Sequence, residues 1–254
     1  MATGTPDFEL RLARNEADLT AVQRLRYDVF VGELGGDGPL VDHNARLERD
    51  RYDARCDHLM LVDKTAGAVV GVYRLLPGAV AMAGDGFYSE GEYDLTPLIS
   101  SGRKLLELGR SCLAPDYRGG MAMFRLWGGL WDYVEARGIE VLFGTASFHG
   151  TDVDALKTPL AYLHHHHLAP EALRPKARPP EATTMDLMPA PEIDRVAAMK
   201  ATPALIKAYL RLGGWVGEGA WVDRDFNTTD VCLVLDANHV NPRQVAIYKG
   251  ERAQ

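Results

Sequence analysis

The chain has 254 residues, 46% hydrophobic and 25% charged, long enough to bury a sizeable core without disulfides or metals. With 28 basic and 35 acidic residues its formal charge is −7, which argues against a general nucleic-acid binder that must neutralise many phosphates. The 3 cysteines, Cys56, Cys112 and Cys232, are odd in number and in no C-x-x-C spacing, so neither a disulfide framework nor a zinc site is suggested, and a reducing cytoplasm is expected. The N-terminus lacks a basic region followed by an apolar run, and no segment approaches the ~18 apolar residues of a membrane span, so the chain reads as unexported and non-spanning.

Phe8, Leu10 and Leu12 alternate with polar neighbours, predicting a strand over 8–14. Leu19, Val22, Leu25, Val29 and Phe30 then form one apolar stripe at helical spacing behind the capping candidates Asn15 and Asp18, ended by Gly35-Gly-Asp-Gly-Pro39. A charged stretch, 42–57, leads to two strands joined by a short loop, 58–62 and 68–76. Residues 104–111 read as a further strand, and a polar loop containing Arg118-Gly119-Gly120 opens a helix carrying Phe124, Trp127, Trp131 and Val134. Trp127, Trp131 and Tyr133 are read as core.

A buried strand over 141–148, a helix over 154–165 and a proline-rich loop over 169–180 follow. The last third adds a strand near 184–187, a helix from Pro203 capped by Thr202 and stopped by Gly213-Gly214, and a strand over 230–235. Strands and helices mixed without strict alternation predict one α+β domain, 1–254, on a mostly antiparallel mixed sheet flanked by helices, its core at about 8–190 and a C-terminal extension over 191–254.

Glu107-Leu-Gly-Arg110 followed by Ala114-Pro-Asp-Tyr-Arg-Gly-Gly120 joins a strand, a glycine loop and a helix N-terminus, whose free N–H groups and positive dipole end suit a phosphate such as that of a phosphopantetheine arm. The same Arg-Gly-Gly also serves as a plain turn before a helix.

The element order resembles the Gcn5-related N-acyltransferase (GNAT) fold. Leu25-Arg-Tyr-Asp-Val-Phe30, Cys56-Asp-His-Leu59, Gly71-Val-Tyr-Arg-Leu-Leu76, Leu106-Glu-Leu-Gly-Arg-Ser-Cys112, Tyr162-Leu-His-His-His-His-Leu-Ala-Pro170 and Phe226-Asn-Thr-Thr-Asp-Val231 resemble the ornithine acyl-carrier-protein N-acyltransferases, from about Leu10 to Leu235. The related acyl-homoserine lactone synthases share Arg26…Phe30, Glu48-x-Asp50-x-x-Asp53, Arg74 and Glu107-Leu-x-Arg110. The resemblance implies transfer of a fatty acyl group, 3-hydroxylated in the expected case, from acyl carrier protein to the α-amine of ornithine, giving lyso-ornithine lipid. It implies no metal or other cofactor beyond the donor's thioester. Rival readings are the same reaction on glutamine, lysine or glycine, a lactone synthase that would need S-adenosylmethionine, and a non-catalytic carrier- or lipid-binding protein.

Aminolysis of a thioester needs a group that takes a proton from the attacking amine. The resemblance places that base at Glu107, with Arg110 beside it; the alternative is a buried Glu107 paired with Arg110 or Arg74. A diamino acid needs acids for its ammonium groups and an arginine for its carboxylate. Asp50, Asp53 and Asp57 are the candidate acids and Arg26 or Arg74 the candidate cation, with Phe30, Asn227 and Asp230 implied beside them, against the reading of 48–57 as a solvated charged loop. Asn227 and Asp230 alternatively hold a turn, and the Asn227-Thr-Thr229 sequon goes unused in an unexported chain.

On the donor side the resemblance implies Ser111, Cys112, Leu113, Arg118, Gly119 and Gly120. Nothing marks Cys112 as activated, so direct transfer is expected. His164 to His167 leave open a metal site, which would need a further acid or cysteine nearby, a pocket wall, or helix-end packing. Arg118, Arg174, Lys176 and Arg178 are the expected basic patch for an acidic carrier protein, and the amphiphilic product suggests transient contact with the inner face of the membrane.

Overall fold

In a computed structural model, residues 6–250 are described. The first five residues, read above for a leader, lie outside them. The chain runs β1 (Phe8–Leu12), α1 (Glu16–Arg26), a π-helical segment (Tyr27–Glu33), β2 (Asp57–Asp63), β3 (Ala68–Pro77), α2 (Gly78–Met82), β4 (Tyr93–Asp94), α3 (Thr96–Ser100) and β5 (Leu105–Leu113). It continues through α4 (Met121–Arg137), β6 (Val141–His149), α5 (Lys157–His167), β7 (Lys176–Ala177), β8 (Ala182–Thr183), α6 (Arg195–Ala201) and α7 (Ala204–Arg211). β9 (Trp215–Val216), β10 (Ala220–Asp223), β11 (Thr228–Asp236) and α8 (Pro242–Lys249) complete it.

Two compact units result, and residues 191–241 belong to the second while 242–250 belong to the first. The first unit comprises residues up to 77, 108–138 and the stretch from 242. Here β1 pairs antiparallel with β2, setting Leu10 opposite Leu61, and β2 pairs antiparallel with β3 across a bulge at Leu61 and Val62. The strand read over 8–14 is therefore present, ending at Leu12, with its five residues all partly buried. α1 begins where the sequence places its cap: the Asn15 side chain accepts the Asp18 N–H at 2.9 Å. Asp18 instead clamps Arg11, with oxygens 2.5 and 2.7 Å from its guanidinium. The apolar stripe ends differently from a plain helix: Leu34 N–H reaches the Val29 carbonyl at 3.1 Å, and the chain widens into a π turn. Val22, Leu25 and Val29 still face one core with Met60, Val72 and Cys112.

α4 packs within this unit through Ala122, Leu126, Leu130 and Val134, and Trp127, Trp131 and Tyr133 are buried as read. Its fit leaves no room at two glycines. A Cβ on Gly128 would come 2.8 Å from the Tyr248 carbonyl oxygen of α8, and one on Gly129 would run into the Leu10 side chain of β1.

The second unit comprises 78–107 and 139–241. Leu105, Leu106 and Glu107 of β5 pair parallel with Val141, Leu142 and Phe143 of β6. β6 pairs antiparallel with the whole of β11, from Val141 opposite Asp236 to His149 opposite Thr228, and β10 and β8 follow outward, both antiparallel. One parallel step in an otherwise antiparallel series is the mixed sheet expected of the α+β reading.

Several boundaries move. Thr202 does not cap α7; its hydroxyl donates back to the Ala198 carbonyl at 2.8 Å and closes α6. The strand expected near 184–187 lies two residues earlier, because the Thr184 hydroxyl accepts the Asp186 N–H and turns the chain. α5 starts three residues late, since Asp152 accepts the N–H groups of Asp154 and Ala155 and holds a turn there. β7 lies inside the expected proline-rich loop.

Candidate active site

In the first unit, α1, the 48–53 stretch, β3 and β5 bring together Arg26, Arg74 and Arg110 with Glu48, Asp50 and Asp53. Arg26 Nε donates to Glu48 at 2.5 Å, its Nη2 also contacts that carboxylate, and its Nη1 donates to Asp53 at 2.7 Å. Arg74 donates to Asp50 at 2.5 Å and to Asp53 at 3.2 Å. Arg110 reaches Glu48 at 3.1 Å and Asp50 at 3.2 Å. Gln23, one turn before Arg26, donates to the other Asp53 oxygen at 2.9 Å. Three cations thus meet three carboxylates, equal in formal charge.

Burial grades this set. The Arg26 side chain is 0% exposed, while Asp50 and Arg110 keep 18% and 15%. Burial works to raise the Asp50 carboxyl, and the guanidinium groups of Arg74 and Arg110 overcome it, holding the group at about 2. Glu48 and Asp53 are held down in the same way, against burial, by Arg110 with Arg26 and by Arg26 with Arg74. None of these three acids is a base at neutral pH. Of the charged residues expected to meet the acceptor, Arg26, Asp53 and Arg74 spend themselves on one another, and Asp50 with Arg110 forms the accessible edge. Asp57 stands apart, accepting from the Tyr133 hydroxyl at 2.7 Å. Phe30 packs partly buried against the core of this unit.

Arg110 has φ +50°, in the left-handed region, inside a strand. Its bonds to Glu48 and Asp50 hold the guanidinium, and β5 runs on through Ser111, Cys112 and Leu113. Ser111 is half-buried, whereas Cys112 lies in the apolar core, where burial pushes its thiol up to about 12. A thiol held neutral at pH 7 is no nucleophile.

Beyond β5, Ala114 to Gly120 forms the expected loop. Gly119 takes φ +73°, Gly120 stands at the N-cap of α4, and nothing lies within 4 Å of a Cβ built on either. No side chain among the described residues caps this helix, which leaves its first N–H groups and dipole end for a ligand or solvent. Arg118 is not free to wander: Glu33 grips it with two bonds of 2.6 Å, and its Nε donates to the Leu113 carbonyl.

In the second unit, Glu107 is 4% exposed, and its two oxygens accept the backbone N–H groups of Tyr88 and Ser89 at 2.8 and 2.7 Å. Two of a carboxylate's roughly four acceptor positions are used by these bonds. Asp230 is buried on β11, and Asn227, at φ +52°, holds the turn before it, where its carbonyl accepts the Gly150 N–H. The Tyr93 hydroxyl donates to the Asp230 carbonyl at 2.8 Å. In the expected docking patch, Arg174 and Lys176 lie 3.7 and 3.5 Å from Glu218, which offsets part of their charge.

Glu48 and Gln23 complete the network without standing among the expected site residues. Glu48 opens the Glu48-x-Asp50-x-x-Asp53 spacing, and Gln23 sits three residues before Arg26 on one helix face, so both carried a readable signal. The backbone donors of Tyr88 and Ser89 carry none.

Comparison with known proteins agrees with this architecture. The acetyltransferase (GNAT) domain family matches residues 25–128. An L-ornithine N(alpha)-acyltransferase of Rhodobacter capsulatus is 57% identical over 253 residues, spanning 98% of this chain and 97% of its own. The chain belongs to the L-ornithine N(alpha)-acyltransferase family. A second member, from Agrobacterium fabrum, is 40% identical over 251 residues, spanning 96% of this chain and 86% of its own. In fold the chain is similar to a CoA-dependent acyl-homoserine lactone synthase, MesI, with TM-score 0.54 at 13% identity, covering 97% of each chain. No helix among the described residues of this acyltransferase is long and apolar enough to cross a membrane.

Proposed function

We propose that this chain transfers a fatty acyl group from the phosphopantetheine thioester of acyl carrier protein to the α-amine of L-ornithine, giving lyso-ornithine lipid. The observation that carries the reading is the near full-length identity with L-ornithine N(alpha)-acyltransferases. The site supplies matching chemistry. Glu107 takes a proton from the substrate ammonium, directly or through one water, and the amine attacks the thioester carbonyl carbon. A C–N bond forms, the C–S bond breaks with its electron pair leaving on the thiolate, and the second proton shed by the nitrogen as it becomes an amide protonates that thiolate. Transfer is direct, since Cys112 is buried and neutral.

The uncapped N-terminus of α4 with Gly119 and Gly120 takes the donor's phosphate, and Ser111 and Leu113 lie beside the arm. Asp50 and Arg110 meet the amino acid at the edge of the charged network, which Arg26, Asp53 and Arg74 hold rigid in the first unit. Arg178 steers the acidic carrier, Arg118 being neutralised by Glu33, and the amphiphilic product brings the enzyme to the inner face of the membrane.

The test incubates the protein with 3-hydroxyacyl carrier protein and ornithine, glutamine, lysine or glycine, following thiol release and the mass of the product. N-acylornithine is expected, without any requirement for S-adenosylmethionine. A product with another amino acid moves the acceptor, and absence of thiol release with every acceptor overturns the enzymatic reading.

A further inference from the structure

The four consecutive histidines at the end of α5 divide into two pairs. His166 and His167 turn to the Tyr162 ring, with ring centroids 4.9 and 5.3 Å away. His164 and His165 turn to Asp186, which lies in the irregular stretch between β8 and α6. His165 Nε2 is 3.2 Å and His164 Nε2 4.0 Å from the Asp186 oxygens, and one ligand atom from each of the three residues falls within 4.8 Å of the others. Zinc bonded at about 2.0–2.1 Å to nitrogen and oxygen in a tetrahedron sets its donors roughly 3.3 Å apart. The 3.2 Å separation of His165 matches that value, the 4.0 Å of His164 runs to the other oxygen of the same carboxylate, and Asp186, 57% exposed, has the freedom to turn one oxygen towards both rings.

A second observation concerns His164 alone. Its side chain is only 23% exposed, its Nδ1 is buried without a hydrogen-bond partner among the described residues, and 4.0 Å to Asp186 is too long for a hydrogen bond at Nε2. Its Nε2, the nitrogen nearer Asp186, therefore has no hydrogen bond among the described residues to give up on coordinating an ion. His165 does exchange a contact, since its Nε2 also lies 3.0 Å from the Met188 carbonyl.

We infer that His164, His165 and Asp186 form a site for a divalent transition-metal ion of the zinc class, with a fourth position open to water, which pins the end of α5 to the 184–188 stretch. Two imidazoles and one carboxylate suit zinc or cobalt and not magnesium or calcium, whose preferred ligands are oxygens. The site has no part in the acyl transfer proposed above and stands independently of it.

The test uses the full chain with any affinity tag removed, stripped with chelator and titrated with Co2+ and then Zn2+. One Co2+ per chain is expected, with visible bands of a tetrahedral site that Zn2+ bleaches, and a Tm rise of roughly 5–10 °C at a hundredfold excess over Kd. Asp186→Asn should weaken binding at least tenfold and abolish the bands, and His164→Asn should do the same. The His166→Ala/His167→Ala pair should leave both intact. Absence of binding, or equal affinity in parent and Asp186→Asn, overturns the site, the latter by showing that the histidine run alone chelates the ion.

Discussion

Replacing Arg26 by methionine removes the one fully buried guanidinium from the charged network while keeping much of its apolar stem. Its partners Glu48 and Asp53 have side chains 2% and 5% exposed, so each is left in a water-poor site with one cation fewer, Glu48 on Arg110 and Asp53 on Arg74. The network then carries one uncompensated negative charge. Removing one partner of a buried ion pair costs about 3–5 kcal/mol, a large part of the roughly 5–15 kcal/mol that holds an ordinary protein folded. For a chain of this size that corresponds to a Tm lower by roughly 6–20 °C. Urea unfolding followed by circular dichroism measures it. The decisive control is Arg26→Met/Glu48→Gln, which restores charge balance and should be more stable than the sum of the two single losses by about 0.5–3 kcal/mol. A single variant within 1 kcal/mol of the parent, or strictly additive losses, would refute the view that charge balance holds this network.

Glu107→Gln should lower kcat by roughly 10²–10⁴ with a smaller change in KM for the amino acid, measured by thiol release; a change in KM alone removes Glu107 from proton transfer. Cys112→Ala should keep activity within a few-fold, and the native thiol should resist alkylation at pH 8 because burial raises it to about 12; a hundredfold loss of activity in Cys112→Ala contradicts direct transfer. Asp50 has a depressed carboxyl in the folded state, about 2 against an ordinary value near 4, so it stabilises the fold above about pH 4 by roughly 2 kcal/mol and loses that contribution as pH falls towards 2. Acid unfolding of Asp50→Asn should accordingly be less steep between pH 4 and 2, and an unchanged profile refutes the assignment. Arg178→Glu should raise KM for the carrier and flatten its salt dependence, and unchanged kinetics remove this residue from docking.

The elements readable in advance are those whose signal is local. Alternation at Phe8, Leu10 and Leu12, the Asn15 cap, the three- and four-residue spacing of α1 and the glycine stop after α7 all act within a few residues of where they are written. Thr202 shows the limit of such signals, because a hydroxyl before a helix accepts an N–H ahead of it or donates to a carbonyl behind it with the same local sequence. The charged site was half-legible. The spacing of Glu48, Asp50 and Asp53 marks them as acids on one stretch, but their cations come from α1, β3 and β5, tens of residues away, and only folding shows that acids and arginines satisfy one another before any substrate arrives. Glu107 was found through resemblance, whereas the donors its oxygens accept from include backbone groups of Tyr88 and Ser89, which any residue type but proline supplies. Asp186, which completes a ligand set with His164 and His165, lies some twenty residues beyond them in a stretch read as a strand.

The two glycines in the middle of α4 give the helix a mechanical reference point. Contact with the Tyr248 carbonyl at Gly128 and with Leu10 at Gly129 sets how deeply the helix axis seats, and a stiff helix carries that setting to its far end. The first turn at Met121 lies seven residues from Gly128, about 10 Å at 1.5 Å per residue. A methyl group added at position 128 would act as a shim, tilting or lifting the rod and moving its leading end without touching a single atom there. The alignment of that end is therefore calibrated within the first unit, and precision at the open loop is inherited from a contact about two helical turns away.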